Sequence, residues 1–142
     1  MLSRQFHLPF ISSQISESSK THHQTTIGPK LESGPKLYNR ITTRQKMATL
    51  ARLRTGHCSL NQYLYRIGIE ESPRCAQCTN GGIEYVEHFL IQCMKFDRER
   101  AALFKNVGIG GMEAEKLLGD TDFIKHTLEF AENTGRFSFC HN

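Results

Sequence analysis

The 142-residue sequence has no tryptophan and no Asn-x-Ser/Thr glycosylation sequon. It has no long hydrophobic run: stretches such as Phe89-Leu90-Ile91 fall far short of the ~20 apolar residues that a membrane-crossing helix needs. No apolar stretch of signal-peptide type follows Met1, which reads against secretion. The five cysteines are an odd number, and with the missing sequon they read against a secreted disulfide scaffold. The expectation is a reducing compartment, nucleus or cytoplasm, where a close Cys/His cluster usually holds a metal. The sequence marks of catalysis are missing as well. There is no P-loop, no [FY]-x-D-D pair, no paired-carboxylate motif and no nucleophile elbow. Gly108, Gly110 and Gly111 lack the spacing of a dinucleotide fingerprint. Asp97, Asp120 and Asp122 read as surface or cap residues, and His126 as a solvated or core histidine. The chain is therefore expected not to be an enzyme. Hydrophobic residues make up only 38%, so the core is small or part of the chain lies outside it.

Acidic residues are missing from one long stretch. Between Ser33 and Ile69 there is no Asp or Glu, while Lys36, Arg40, Arg44, Lys46, Arg52, Arg54 and Arg66 give that stretch a net +7. From Glu70 onward eight basic residues face twelve acidic ones, net −4, so the overall +4 hides a strong asymmetry. Such a block suits phosphate contacts. It also suits a solvated helix face paired with the acidic half.

Residues 1–37 are rich in Ser, Thr, Gln and His and broken by Pro9, Pro29 and Pro35, the composition of a disordered tail. Met1 to Ser16, with Arg4, several serines and no acidic residue, also fits a mitochondrial presequence, the alternative localisation. Asn39 or Thr42 is placed to cap a basic helix running through Arg54, with Met47, Leu50, Ala51 and Leu53 as its apolar stripe and Gly56 as its stop. Ser59-x-x-Gln62 reads as a capping box for a short helix with Leu60, Tyr63, Leu64 and Ile67 on one face, ended by Gly68. These two helices are expected to pack as a hairpin. Turn chemistry fills Glu71–Gly82, and a helical pattern returns at Ile83 or Glu84. It breaks near Met94–Lys95 and resumes with Phe96, Leu103, Phe104 and Val107. A flexible glycine loop follows, then a short helix over Glu113–Leu118. Thr121 or Asp122 caps a last helix with Phe123, Ile124, Thr127, Leu128 and Ala131 inward. The expected fold is mainly α: a small zinc-stabilised helical domain with a helix hairpin, a Cys/His knuckle leading into a helix, and a C-terminal helix. Its parts are a tail over 1–37, a basic helix pair with the metal module over 38–107, and the glycine loop with the last helix over 108–142.

Cys75, Cys78, His88 and Cys93 form C-x2-C-x9-H-x4-C. The x2 spacing lets two thiolates grip one ion from a tight turn. Three sulfurs and one nitrogen with no carboxylate fit one structural, tetrahedral Zn2+, with no position left for a catalytic water. His88 and Cys93 are five apart, which an α-helix sets about 140° from each other, so a helix that frays or tightens between them is needed to close the site. A redox CxxC would want a βαβ setting that this chain lacks. The alternative for Cys93 is a core cysteine, and for His88 a surface histidine. His57 and Cys58 follow the first helix and could substitute as ligands; Cys140 and His141 lie at the chain end.

Several blocks together resemble the tail of non-LTR retrotransposon polyproteins. They are Arg52-Leu53-Arg54-Thr55-Gly56-His57, Leu60-Asn61-Gln62-Tyr63-Leu64, Arg66-Ile67-Gly68, Ser72-Pro73-Arg74-Cys75-Ala76-Gln77-Cys78, and Glu84-Tyr85-Val86-Glu87-His88 with Leu90 and Cys93. Tyr85 stands where that family usually has Thr, a position that is not a ligand. Arg98 or Arg100 matches the arginine that usually follows the last cysteine. Phe130–Phe137, ending Thr134-Gly135-Arg136-Phe137, is similar to the terminal block of fungal elements. The resemblance implies a zinc-binding accessory domain that helps engage RNA or target DNA. It also implies that reverse transcriptase and RNase H domains would lie upstream, as polyprotein partners, and that this chain is a remnant of such a polyprotein.

The combined expectation is a non-catalytic, zinc-folded module that binds single-stranded RNA or DNA. Arg40, Arg44, Lys46, Arg52, Arg54 and Arg66 would contact phosphates, and Tyr63, Tyr65 or Tyr38 would stack on bases. The alternative is a zinc-folded scaffold whose basic block docks an acidic protein.

Overall fold

The computed structural model describes residues 43–137. The expected N-terminal tail and presequence, Tyr38, Asn39, Arg40, Thr42, Cys140 and His141 lie outside the described residues.

Helix α1 spans Arg44–Thr55. Its cap is Thr43, one residue past the expected Thr42, because the extended backbone there lets the hydroxyl accept the Lys46 N–H at 3.2 Å. Gly56 ends the helix in the left-handed conformation (φ 69°). Leu50 and Leu53 are buried, whereas Ala51, expected in the apolar stripe, faces solvent. Helix α2 is short, Asn61–Arg66. Its first free N–H, that of Asn61, goes to the Glu84 carboxylate at 2.8 Å, and Gln62 N–H goes to the Glu84 carbonyl at 3.2 Å. The expected local box of Ser59 and Gln62 is thus displaced by a buried carboxylate from 23 residues away.

The expected α1–α2 hairpin is not the main packing. Helix α1 lays its buried face against the two C-terminal helices, and α2 docks on the Cys-bearing turn through Glu84 and through the Asn61 side-chain amide on the Arg74 carbonyl (2.7 Å). Leu60 is buried, but Ile67, expected on the same inward face, is exposed.

Residues 73–84 form a miniature hairpin. Arg74 and Ile83 make an antiparallel bridge, Cys75 N–H reaches the Gly82 carbonyl (2.7 Å), and Glu84 N–H reaches the Pro73 carbonyl (2.9 Å). It is the one β-pairing among the described residues. The following helix begins at Val86 rather than at Ile83 or Glu84, because those two residues are spent on the hairpin. A π-turn over His88–Gln92 and a 3-10 turn over Met94–Phe96 carry the chain into α3, Asp97–Val107. Phe104 is exposed on α3, contrary to the expected inward face. The glycines after α3 build a 3-10 turn, Ile109–Gly111. A Cβ on Gly111 would stand 2.9 Å from Val107 Cβ and 3.0 Å from the Phe123 ring, so this glycine permits close packing. Helices α4 (Ala114–Gly119) and α5 (Thr121–Asn133) follow. Asp120 caps α5 through the Asp122 N–H at 2.9 Å, in place of the expected Thr121 or Asp122.

Helix α5 packs on α3, α4 and α1 and closes one hydrophobic core. Phe89, fully buried, is its hub. Its ring meets Phe96 (5.5 Å), Phe130 (5.3 Å) and Phe137 (5.2 Å, edge-on). Since Phe89 directly follows His88, the core fixes the backbone that presents that imidazole. The described part of the chain is therefore mainly helical, as expected.

Candidate metal centre

Cys75, Cys78, His88 and Cys93 converge, with their four donor atoms all within 4.8 Å of one another. The hairpin delivers the first two. Cys75 leaves the first strand of the bridge, and Cys78 sits in the turn that the Arg74 guanidinium braces by donating to the Gly81 carbonyl (2.6 Å). Gly81 takes φ +58°, and Gly82 lies against the His88 ring, where a Cβ would stand 3.4 Å from Nδ1.

Contrary to the expected fraying or tightening, the helix widens between His88 and Cys93. Cys93 N–H bonds the His88 carbonyl at 2.7 Å, an i→i+5 closure. One wide turn brings two residues five apart onto the same side.

Two of the donor–donor distances have the size of zinc-tetrahedron edges. With Zn–S near 2.3 Å and Zn–N near 2.0–2.1 Å, tetrahedral ligands stand about 3.8 Å (S···S) and about 3.6 Å (S···N) apart. Here Cys75 Sγ and Cys93 Sγ are 3.8 Å apart, and Cys78 Sγ and His88 Nε2 are 3.5 Å apart. The four residues are thus close enough to hold a metal ion, consistent with one structural zinc.

Burial dominates the electrostatics of the donors. Burial pushes the Cys75 thiol up to about 12, and Glu84 pushes in the same direction against the N–H groups of Gln77 and Cys78. Burial also raises Cys93, with the Lys95 N–H opposing. Burial lowers His88 and favours the neutral imidazole, the ligating form. Thiolates are costly in this environment unless a cation compensates them, and a dication at the centre of the four donors would do so.

Two arginines and a glutamate missing from the expected ligand list complete the centre. Arg100, buried, donates to the carbonyls of Leu90 (2.9 Å), Cys93 (2.7 Å) and Phe89 (3.4 Å) and pairs with Asp97. It donates to the Phe89 and Leu90 carbonyls of the π-turn and shares the Cys93 carbonyl with the Phe96 N–H (3.2 Å). Of the two arginines considered after the last cysteine, Arg100 takes this place, and Arg98 is exposed. Glu84, almost wholly buried, receives Arg136 through Nε on Oε1 (3.2 Å) and Nη2 on Oε2 (2.9 Å). Its Oε1 also stands 3.8 Å from Cys75 Sγ. A buried carboxylate leaves no mark in residue spacing. Cys58 is buried in the core and does not belong to the four-donor cluster, and neither does the exposed His57.

The basic residues have separate fates. Arg44 is exposed at the start of α1 and Arg52 is half-buried. Lys46 pairs with Glu132 at 3.3 Å. Arg54 turns inward: its Nε donates to the Leu118 carbonyl (2.9 Å), its Nη2 is buried, and burial lowers its pKa. Arg66 is exposed, with its guanidinium 5.2 Å from the centre of the Tyr63 ring. The His57 ring stands 5.1 Å from the same ring, so Tyr63 already has two neighbours. Tyr65, beside it, is half-exposed. None of the described helices is long and apolar enough to cross a membrane.

Comparison of the chain with protein-family models, with curated proteins and with solved structures finds no match.

Proposed function

We propose that the chain is a non-catalytic accessory domain, folded around one structural zinc and binding single-stranded RNA or DNA, of the type found at the tail of non-LTR retrotransposon polyproteins. The observation that carries the zinc reading is the four-donor cluster with tetrahedral edges of 3.8 Å and 3.5 Å. Cys75, Cys78, His88 and Cys93 would hold the ion, which supplies a structural clip and no reaction.

The nucleic-acid reading rests on the acid-free stretch that runs through α1 and α2. Arg44, Arg52 and Arg66 are the described arginines of that stretch best disposed to reach phosphates, while Lys46 and Arg54 serve the fold. Tyr65 is a better base-stacking platform than Tyr63, whose ring is engaged by His57 and Arg66. Mobility-shift titration of the purified full chain with single-stranded and duplex probes at several salt concentrations tests this. Salt-sensitive binding that favours single strands is expected, and salt-independent binding or none rejects it.

A second reading has its own observation. Tyr65, Ile67 and Ile69 are all exposed around Arg66, an apolar and basic surface that also suits docking on an acidic protein. Capture of such a protein without any nucleic-acid shift would favour it.

A further inference from the structure

We infer that Arg136 is a positioning residue for the metal centre: its guanidinium forks onto the buried Glu84 carboxylate, which stands 3.8 Å from Cys75 Sγ, and so couples zinc affinity to the turn that ends α5. The inference rests on the zinc reading and extends it to a residue that touches no ligand.

Glu84 is a conflict built into the site. Its carboxylate is 1% exposed, and Oε1 lies 3.8 Å from Cys75 Sγ. Three thiolates, a neutral imidazole and a dication sum to −1, so an uncompensated Glu84 would bring the buried charge to −2. Like charges at this distance in a poorly solvated interior repel strongly. Glu84 cannot simply be dispensed with, because it holds the hairpin to α2 through the Asn61 N–H (2.8 Å).

Arg136 resolves the conflict from 52 residues away. It reaches back from beyond Gly135, which turns the chain at φ +64°, and makes both fork contacts. Burial alone would lower the Arg136 guanidinium; the bonds and the charge of Glu84 outweigh this and raise it. The fork restores the local sum to −1. Arg100 cannot take over this task, because its donors are committed to the Phe89, Leu90 and Cys93 carbonyls and to Asp97. Outer partners of this kind set metal affinity by about 10–100-fold.

The coupling is reciprocal. If Arg136 favours the loaded centre, the loaded centre favours the docked turn. Phe137, next in the chain, is then held edge-on against Phe89, and Phe89 follows the ligand His88. The α5 end and the metal centre thus report on each other through one charge pair and one ring contact.

The test is zinc affinity of the full chain, measured by competition with a chromophoric chelator, for wild type, Arg136→Gln, Glu84→Gln and the double variant. Arg136→Gln is expected to weaken zinc binding by about 10–100-fold. The double variant is expected to recover most of that loss, since a glutamine at 84 keeps an acceptor for Asn61 and carries no charge. A purely structural fork predicts the opposite, a double variant at least as weak as Arg136→Gln. Arg136→Lys, which keeps the charge and gives up the fork, should fall between wild type and Arg136→Gln, and serves if Arg136→Gln fails to fold. Unchanged affinity in Arg136→Gln, or no recovery in the double variant, overturns the inference. Wild-type protein with no zinc stoichiometry overturns the metal reading itself.

Discussion

The backbone N–H of Cys93 bonds the carbonyl of His88 across five residues at 2.7 Å. An α-helix would close onto the fourth residue and turn these two side chains away from each other. The wider closure puts an imidazole and a thiol on one side of the same segment, opposite the two cysteines of the hairpin. Arg100 gathers the carbonyls around this closure, those of Phe89, Leu90 and Cys93, the last of which it shares with the Phe96 N–H. The ligand geometry and the buried arginine are therefore two halves of one solution.

The first prediction separates ligands from spares. Cobalt titration of the purified chain should saturate at one equivalent with the absorption of a tetrahedral, thiolate-rich site. Cys75→Ser or Cys93→Ser should abolish that spectrum. Cys58→Ser should leave it intact, because the Cys58 sulfur is in the core and outside the four-donor cluster. Loss of the spectrum in Cys58→Ser would reassign the site.

The second prediction concerns pH. In the metal-free chain the Cys75 thiol is raised from 9.0 to about 12, so the folded form holds its proton more tightly than the unfolded one. That contribution is full below about pH 9 and is lost as pH rises toward 12. His88 is lowered from 6.5, so its contribution is full above about 6.5 and is lost as pH falls below it. Metal-free protein should therefore melt highest between these limits. Zinc binding must strip protons from three thiols, so apparent affinity should climb by about three log units per pH unit between roughly pH 6.5 and 8. A slope near one, measured by chelator competition, would show that fewer thiols bind.

The third prediction tests the arginine beneath the π-turn. Arg100→Ala removes the side-chain donor of the Phe89 and Leu90 carbonyls, while the Cys93 carbonyl keeps the Phe96 N–H. Unfolding of the zinc-loaded variant should be easier by about 3 kcal/mol, since each unsatisfied buried group costs about 1–3 kcal/mol. Arg98→Ala, at an exposed position, should change stability by less than about 0.5 kcal/mol. Equal effects of the two would refute the role given to Arg100. Urea denaturation at fixed zinc concentration measures both.

Some of this was legible before the structure. Cys75, Cys78, His88 and Cys93 carry their chemistry in residue type and spacing, and Gly56 and the break at Met94–Lys95 carry theirs in local propensity. The misses share a cause: the deciding partner is distant in sequence. Glu84 caps α2 from 23 residues away, and no local box reveals it. Arg54 reads as one more surface cation until Leu118, 64 residues on, takes its Nε–H. Arg136 lies 52 residues from the carboxylate that explains it. The π-turn is hidden for a different reason: an i→i+5 closure is rare in α-helical sequence, and its carbonyls are met here by Arg100, from beyond the turn.

The last prediction concerns the basic stretch, where structure changes which residues to mutate. Arg54→Glu should damage the fold, because its Nε–H and buried Nη2 lie against the end of α4. Lys46→Glu would place two acidic groups together at Glu132. The informative set is Arg44→Glu, Arg52→Glu and Arg66→Glu, which should keep zinc content and melting temperature close to wild type. If each arginine neutralises one phosphate of a single strand, the log–log salt slope contributed by the three is about −2. Each reversal should weaken binding and flatten the slope by about 0.7. Tyr65→Ala should weaken binding by about 1–3 kcal/mol at every salt concentration with no change in slope, since stacking releases no counterions. Fluorescence anisotropy with a labelled oligonucleotide reads all four. A triple reversal that binds as wild type does would remove nucleic acid from the account and leave the protein-docking reading.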